Sequence, residues 1–278
     1  MTRSIDGIGE IVANYSALVL DLWGVVHDGI APYPGVIDCL TRLRAADIAV
    51  VMLSNAPRRS AAAGEALGRM GVTENHYDAI VTSGEVTRGM LQDPGDTAIA
   101  GWGEAFWHLG PPRDRNLFDG LQYRETSLDQ ADFILNTGPD DERDPTDPSA
   151  FDVELRQAAG AGLPMLCANP DLEVLRAGKR IICAGLLAER YRNMGGRVVS
   201  VGKPDPRIYG PVLAQIKAPR ERILAVGDSL RTDMAGARAV GIDHAWVLGG
   251  VHNDDADPAA AAHAVGLSPN FIMRRFVW

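Results

Sequence analysis

The chain has 278 residues, 46% of them hydrophobic and 23% charged, so it can bury a substantial core and is long enough for one large domain or two smaller ones. Twenty-seven Lys and Arg against 36 Asp and Glu give a formal net charge of -9, a field that disfavours an extended phosphate backbone and excludes nucleic acid from the expected partners. Cys39, Cys167 and Cys183 are too scattered for a metal pattern or a disulfide framework, residues 1–14 lack the apolar stretch of a signal peptide, and no apolar run is long enough to cross a bilayer. A cytoplasmic protein without a membrane partner is expected.

In chain order, short runs rich in Val, Ile and Leu predict strands over residues 17–22, 48–53 and 79–82, and again over 197–201, 223–226 and 244–248. Several are followed by Ala-rich helical stretches, the alternation of an α/β fold with a Rossmann-like, doubly wound parallel sheet. Between the two groups a second set of strands is expected over 97–100, 132–135 and 163–167, with a solvated loop rich in Pro and Asp at 138–149. The simplest organisation is a discontinuous core domain, 1–85 and 197–278, with an inserted α/β cap domain over 86–196.

Four short segments at predicted strand ends carry candidate chemistry. Asp21 closes an apolar strand, where a carboxylate must be paired, hydrogen-bonded or metal-bound; a capping aspartate is the plainer alternative. Ser54 and Asn55 precede Pro57, a residue suited to a first helical turn, and could offer an anion site beside a helix N-terminus or merely an N-cap. Lys203, between Gly202 and Pro204, can act as a fixed point charge, although a solvated loop lysine is the commoner outcome. Asp228 and Asp233 are spaced to serve a hard cation that takes oxygen ligands, with Asp233 otherwise complementing a helix dipole. In an open α/β sheet these strand ends converge on one crevice.

Taken together, Asp21 with Gly24-Val25, Ser54-Asn55, Gly202-Lys203-Pro204 and Gly227-Asp228 with Thr232-Asp233 resemble the four ordered motifs of the haloacid dehalogenase superfamily, over roughly residues 17–248. Ala168-Asn169-Pro170-Asp171 resembles the cap signature of its class IIA branch, the sugar-phosphate and nitrophenyl-phosphate phosphatases. The resemblance implies a phosphatase acting on a small phosphorylated metabolite, a sugar phosphate among the candidates, with Asp21 as nucleophile forming an aspartyl-phosphate. It further implies Ser54 or Asn55 and Lys203 on the phosphoryl oxygens, and Asn169 and Asp171 towards the substrate. Mg²⁺ would be held by Asp21, Asp228 and the backbone carbonyl of Trp23, with Asp233 as a ligand or behind one. A homodimer is left open.

The sequence departs from that pattern at Trp23, where most phosphatases of the superfamily have the Asp that acts as general acid and base. Tryptophan can do neither, and loss of such a group costs on the order of 10²–10⁴ in rate. His27 and Asp28 are the nearest replacements; the alternative for both is a turn built on Asp28-Gly29. The aromatics of residues 101–110 could line a pocket, although their spacing fits core better. The rival to an enzyme is a non-catalytic protein of the same fold that binds or senses a phospho-ligand.

Overall fold

In a computed structural model of the chain, residues 2–93, 95–176, 179–249 and 257–278 are described. Among them, seven strands form one parallel sheet in the order Arg3–Ser4, Phe271–Met273, Asp243–Val247, Ile223–Gly227, Ala17–Leu20, Ala49–Ser54 and Ala79–Thr82. The strand Ala17–Leu20 is fully apolar because both faces are covered. Leu18 and Leu20 enter one core with Val50 and Met52, while Ala17 and Val19 enter the opposite core with Val51 and Leu53. Each fully buried leucine contributes about 1.5–3 kcal/mol of transfer free energy. From Ala17–Leu20 the chain proceeds outward through two strands on one side, then returns to place Ile223–Gly227 on the other. The order reverses between these two central strands, so the crevice at their carboxyl ends is the expected ligand site, and Asp21 and Asp228 stand there.

A second sheet has five parallel strands in the order Val198–Ser200, Met165–Cys167, Phe133–Asn136, Ala105–Leu109 and Arg124–Glu125, with a core on each face. A separate antiparallel pair, Glu173–Arg176 with Lys179–Ile182, follows the Asn169-Pro170-Asp171 segment.

Two expected strands are corrected. Residues 97–100 form a turn: Asp96 Oδ1 accepts from Ala98 N at 2.8 Å, Gly101 takes φ +76°, and Ile99 is buried from there without entering a sheet. The run at 197–201 does form a strand, Val198–Ser200, but it pairs with Met165–Cys167 in the second sheet. It could not join the first beside Ile223–Gly227, whose two edges are already taken by Ala17–Leu20 and Asp243–Val247. A boundary at residue 196 therefore cuts that strand from its sheet. The core alternative for the 101–110 aromatics holds for Trp102 and Phe106, both buried against Phe133.

Candidate active site

Asp21 continues its strand by one hydrogen bond, its N–H donating to Val226 O at 2.9 Å, and its side chain then turns into the crevice. Asp228 is fixed by its own carbonyl, which accepts from the buried Trp246 indole at 2.9 Å. Asp233 lies in a π-helical turn, Leu230–Met234, started by Ser229 Oγ accepting from Thr232 N. Carboxylate oxygens of Asp21, Asp228 and Asp233 lie within 4.8 Å of one another, and the three residues are only 7, 8 and 5% exposed. Two glycines make this crowding sterically feasible. A Cβ on Gly24, at φ +82°, would stand 2.1 Å from Asp228 Oδ2, and one on Gly227 would stand 2.2 Å from the Asp233 carboxyl carbon.

Lys203 is 3% exposed, and all three of its N–H donors are used. They reach Asp21 Oδ1 at 2.5 Å, Asp233 Oδ1 at 2.7 Å and the Leu53 carbonyl at 3.0 Å. Burial works against the ammonium charge, but Asp21 and Asp233 outweigh it and hold Lys203 protonated well above its ordinary range. The lysine is thus a fixed cation among carboxylates, not the solvated loop residue that its position also allowed.

Asn55 acts as a clamp. Its Oδ1 accepts from Lys203 N at 2.7 Å, and its Nδ2 donates to Lys203 O at 3.3 Å and to Asp171 Oδ1 at 2.8 Å. One amide therefore joins three separate segments, and Gly202 leaves room for it, since a Cβ there would meet Asn55 Oδ1 at 2.6 Å. Burial raises the Asp171 carboxyl above its ordinary value, with Lys203 and the Asn55 amide opposing. Ser54 lines the crevice and its Oγ accepts from Ala56 N at 3.2 Å. The expected helix N-terminus is not at Pro57: the helix is Ser60–Arg69, so Ser54 closes the strand Ala49–Ser54 and Asn55 opens the loop between the two. Asn169 is also placed differently from the substrate-contact expectation. Its Oδ1 accepts from Asp171 N at 2.9 Å, closing an Asx turn, and it does not line the cavity.

The cavity over these groups measures about 600 Å³. Besides Asp21, Ser54, Asn55, Lys203, Asp228 and Asp233 it is lined by Trp23, Tyr33 and Arg231. The segment that runs from Asp171 into the antiparallel pair supplies a wall of Leu172, Val174, Leu175 and Arg180. Sequence reasoning missed that wall; the short Val-Leu and Ile-Ile runs on either side of Gly178 are the signal that could have found it. His27 and Asp28 are absent from the lining. His27 Nδ1 accepts from Gly29 N, burial pushing its imidazole down to about 4, and Asp28 Oδ1 accepts from Ile30 N and Ala31 N, so the turn explains both. Trp23 lines the cavity, and its Nε1 donates to Leu175 O at 2.9 Å.

Known proteins resemble this chain in sequence and fold. A family model described as haloacid dehalogenase-like hydrolase matches residues 18–123, and a HAD-hydrolase-like model matches 200–271. A haloacid dehalogenase-like hydrolase of known structure from Brucella suis is 32% identical, with 98% of this chain and all of that one aligned at a TM-score of 0.87. A possible sugar phosphatase from Cytophaga hutchinsonii shares the fold at 20% identity and a TM-score of 0.81, over 98% of each chain. Among curated proteins, phosphoserine phosphatase from Thermus thermophilus is 29% identical over 168 residues, 59% of this chain and 63% of that protein, so this chain spans under two thirds of that relative. With near-complete coverage of the Brucella protein and the strand-end carboxylates in place, the chain belongs to the haloacid dehalogenase-like hydrolase family.

Proposed function

We propose that the protein is a Mg²⁺-dependent phosphatase that transfers the phosphoryl group of a small phosphorylated metabolite to Asp21 and then to water. The observation that carries this reading is the cluster of Asp21, Asp228 and Asp233, with the Lys203 ammonium joining Asp21 to Asp233, under a cavity of about 600 Å³. An isolated acidic cluster would repel a phosphate dianion. The three carboxylates instead fit a hard divalent cation, whose ligands are oxygens, and Trp23 would add its backbone carbonyl. When bound, the cation supplies charge neutralisation for the incoming phosphate and for its transferred group.

The chain's own residues do the rest. Lys203 is already on Asp21 Oδ1, where it opposes the burial that pushes that carboxyl up to about 7, and it can turn this donor to a phosphoryl oxygen. Asp233 holds Lys203 from the other side, with Ser229 N–H donating to its second oxygen at 3.1 Å. Attack by an Asp21 oxygen on phosphorus breaks the P–O ester bond, expels the leaving group as an oxyanion that solvent protonates, and leaves an acyl phosphate. Water then attacks phosphorus, gives its proton to solvent, and releases phosphate with the Asp21 carboxylate restored. Ser54 Oγ, with one lone pair engaged by Ala56 N–H, retains a hydroxyl proton to donate to a phosphoryl oxygen. In this reading the five-stranded sheet is the cap, its inserted unit running on to Ser200, and Asp171 and Leu172 carry its substrate contacts. Asn169 serves by shaping the turn that presents Asp171.

Trp23 at the acid's place favours one rival, a binder of phosphorylated ligands that does not turn them over. Phosphate release from nitrophenyl phosphate, measured with Mg²⁺ and with chelator, separates the two. The enzyme reading expects Mg²⁺-dependent release; saturable Mg²⁺-dependent binding of the ester without release would establish the binder.

A further inference from the structure

We infer that Trp23 is a positioning residue that pins the strand pair Glu173–Arg176 and Lys179–Ile182 over the cavity and sets the space left for the leaving group. The pinning is independent of the phosphatase reading, whereas its effect on the leaving group rests on it. The indole lies two residues after Asp21, and its Nε1 reaches the Leu175 carbonyl at 2.9 Å, 152 residues away in the chain. A two-stranded pair is marginal alone in water and needs an outside anchor to keep one position. Asn55 on Asp171 and Arg231 on the Pro170 carbonyl tie down the base of this segment, and Trp23 takes hold of it further along, inside its first strand.

The indole is itself held. Gly29 at φ +88° packs so closely that a Cβ there would come within 2.3 Å of Trp23 Cη2. The His27 ring meets it edge-on, with centroids 5.3 Å apart and planes at 71°, and is locked in turn by the Gly29 N–H on Nδ1. His27, one of the two residues that looked like substitutes for the missing acid, instead packs on the tryptophan, and Gly29 seats its benzo end, while its N–H points at Leu175. Trp23, Leu172, Val174 and Leu175 then line one cavity, so a shift of the strand pair changes the room beside the leaving group directly.

Hydrogen–deuterium exchange on the full chain, without substrate, tests the pin. Trp23→Phe keeps an aromatic ring and removes the donor, so amides of residues 172–176 and 179–182 should exchange about five-fold faster, the factor expected for one neutral hydrogen bond. Amides of Ala17–Leu20 should keep wild-type protection, which shows that the variant is folded. Gly29→Ala, which displaces the ring while keeping the indole N–H, should loosen the same amides and covers the case in which Trp23→Phe does not fold. Wild-type exchange of the strand pair in both variants would overturn the pin. In Trp23→Phe the KM for nitrophenyl phosphate should rise about five-fold with a smaller change in kcat; a loosened strand pair with unchanged KM would overturn the leaving-group role. Absence of turnover by wild-type protein would count against the phosphatase reading and leave the exchange result to decide the pin.

Discussion

Trp23 is the residue on which the chemistry turns. Its indole offers one donor, and Leu175 O occupies it, so it has no proton to give an ester oxygen. His27 and Asp28 are engaged in their own turn and do not face the cavity. Cleavage should therefore depend steeply on how well the leaving group departs unaided, with aryl phosphates hydrolysed at least ~10²-fold faster than alkyl phosphates in kcat/KM. Trp23→Asp should flatten that dependence, and equal wild-type rates on nitrophenyl and sugar phosphates would contradict it. Lys203 gives a second expectation at this scale. Lys203→Met leaves Asp21 and Asp233 buried without their shared cation, which costs on the order of 3–5 kcal/mol in urea unfolding without added metal. A loss under ~1 kcal/mol would mean that the ammonium does not neutralise them. Asp21, Lys203 and Asp228 were legible in the sequence because each is a charge at the end of, or just beyond, an apolar run, and Asp233 through its spacing from Asp228. The three-way clamp of Asn55 was not, because its amide partners lie 116 and 148 residues away in the chain.

At the scale of elements, the fold brings strand ends together more closely than most side chains tolerate, and glycine is the device. Gly24 combines φ +82° with so close an approach that a Cβ would stand 2.1 Å from Asp228 Oδ2, so Gly24→Ala must move either the loop or the carboxylate. Mg²⁺ affinity measured by titration calorimetry should fall at least ~10-fold, as for loss of a support behind a metal ligand. Unchanged affinity would remove Asp228 from the metal site. The central strands Ala17–Leu20 and Ile223–Gly227 could be read from sequence because burial on both faces gives unbroken apolar runs. Val198–Ser200 could be read as a strand but not assigned to its sheet, since three half-buried residues carry no record of their neighbour. The turn at 97–100 was hidden by its own apolar content, with Ile99 buried from a turn as fully as it would be from a strand.

Across the whole molecule, stability should carry a pH signature from its buried imidazoles. Burial pushes His108 down to about 4, where its Nε2 lies 2.9 Å from Thr137 Oγ1 in the five-stranded sheet. Between that value and the ordinary 6.5 the unfolded chain binds a proton that the folded one does not, so stability rises with pH through this window. The contribution is complete above about pH 6.5 and is lost as pH falls towards 4, on the order of 3 kcal/mol in all. His108→Gln should reduce the slope of melting temperature against pH over that range, leaving the part due to His27; an unchanged slope would assign the effect elsewhere. Two parallel sheets, with a cavity where the segment after Met165–Cys167 meets the strand ends of the first, give the architecture its purpose in the proposed reaction: the first sheet's strand ends hold the phosphoryl group and the segment carried by the second borders what leaves.

The central claim is that Asp21 accepts the phosphoryl group. Rapid-quench mass spectrometry of the Asp21 peptide, during turnover of nitrophenyl phosphate with Mg²⁺, reads it directly. The account predicts a phosphoryl adduct on that peptide in wild-type protein and neither adduct nor phosphate release in Asp21→Asn, whereas release that persists in Asp21→Asn with no adduct at any time would contradict it.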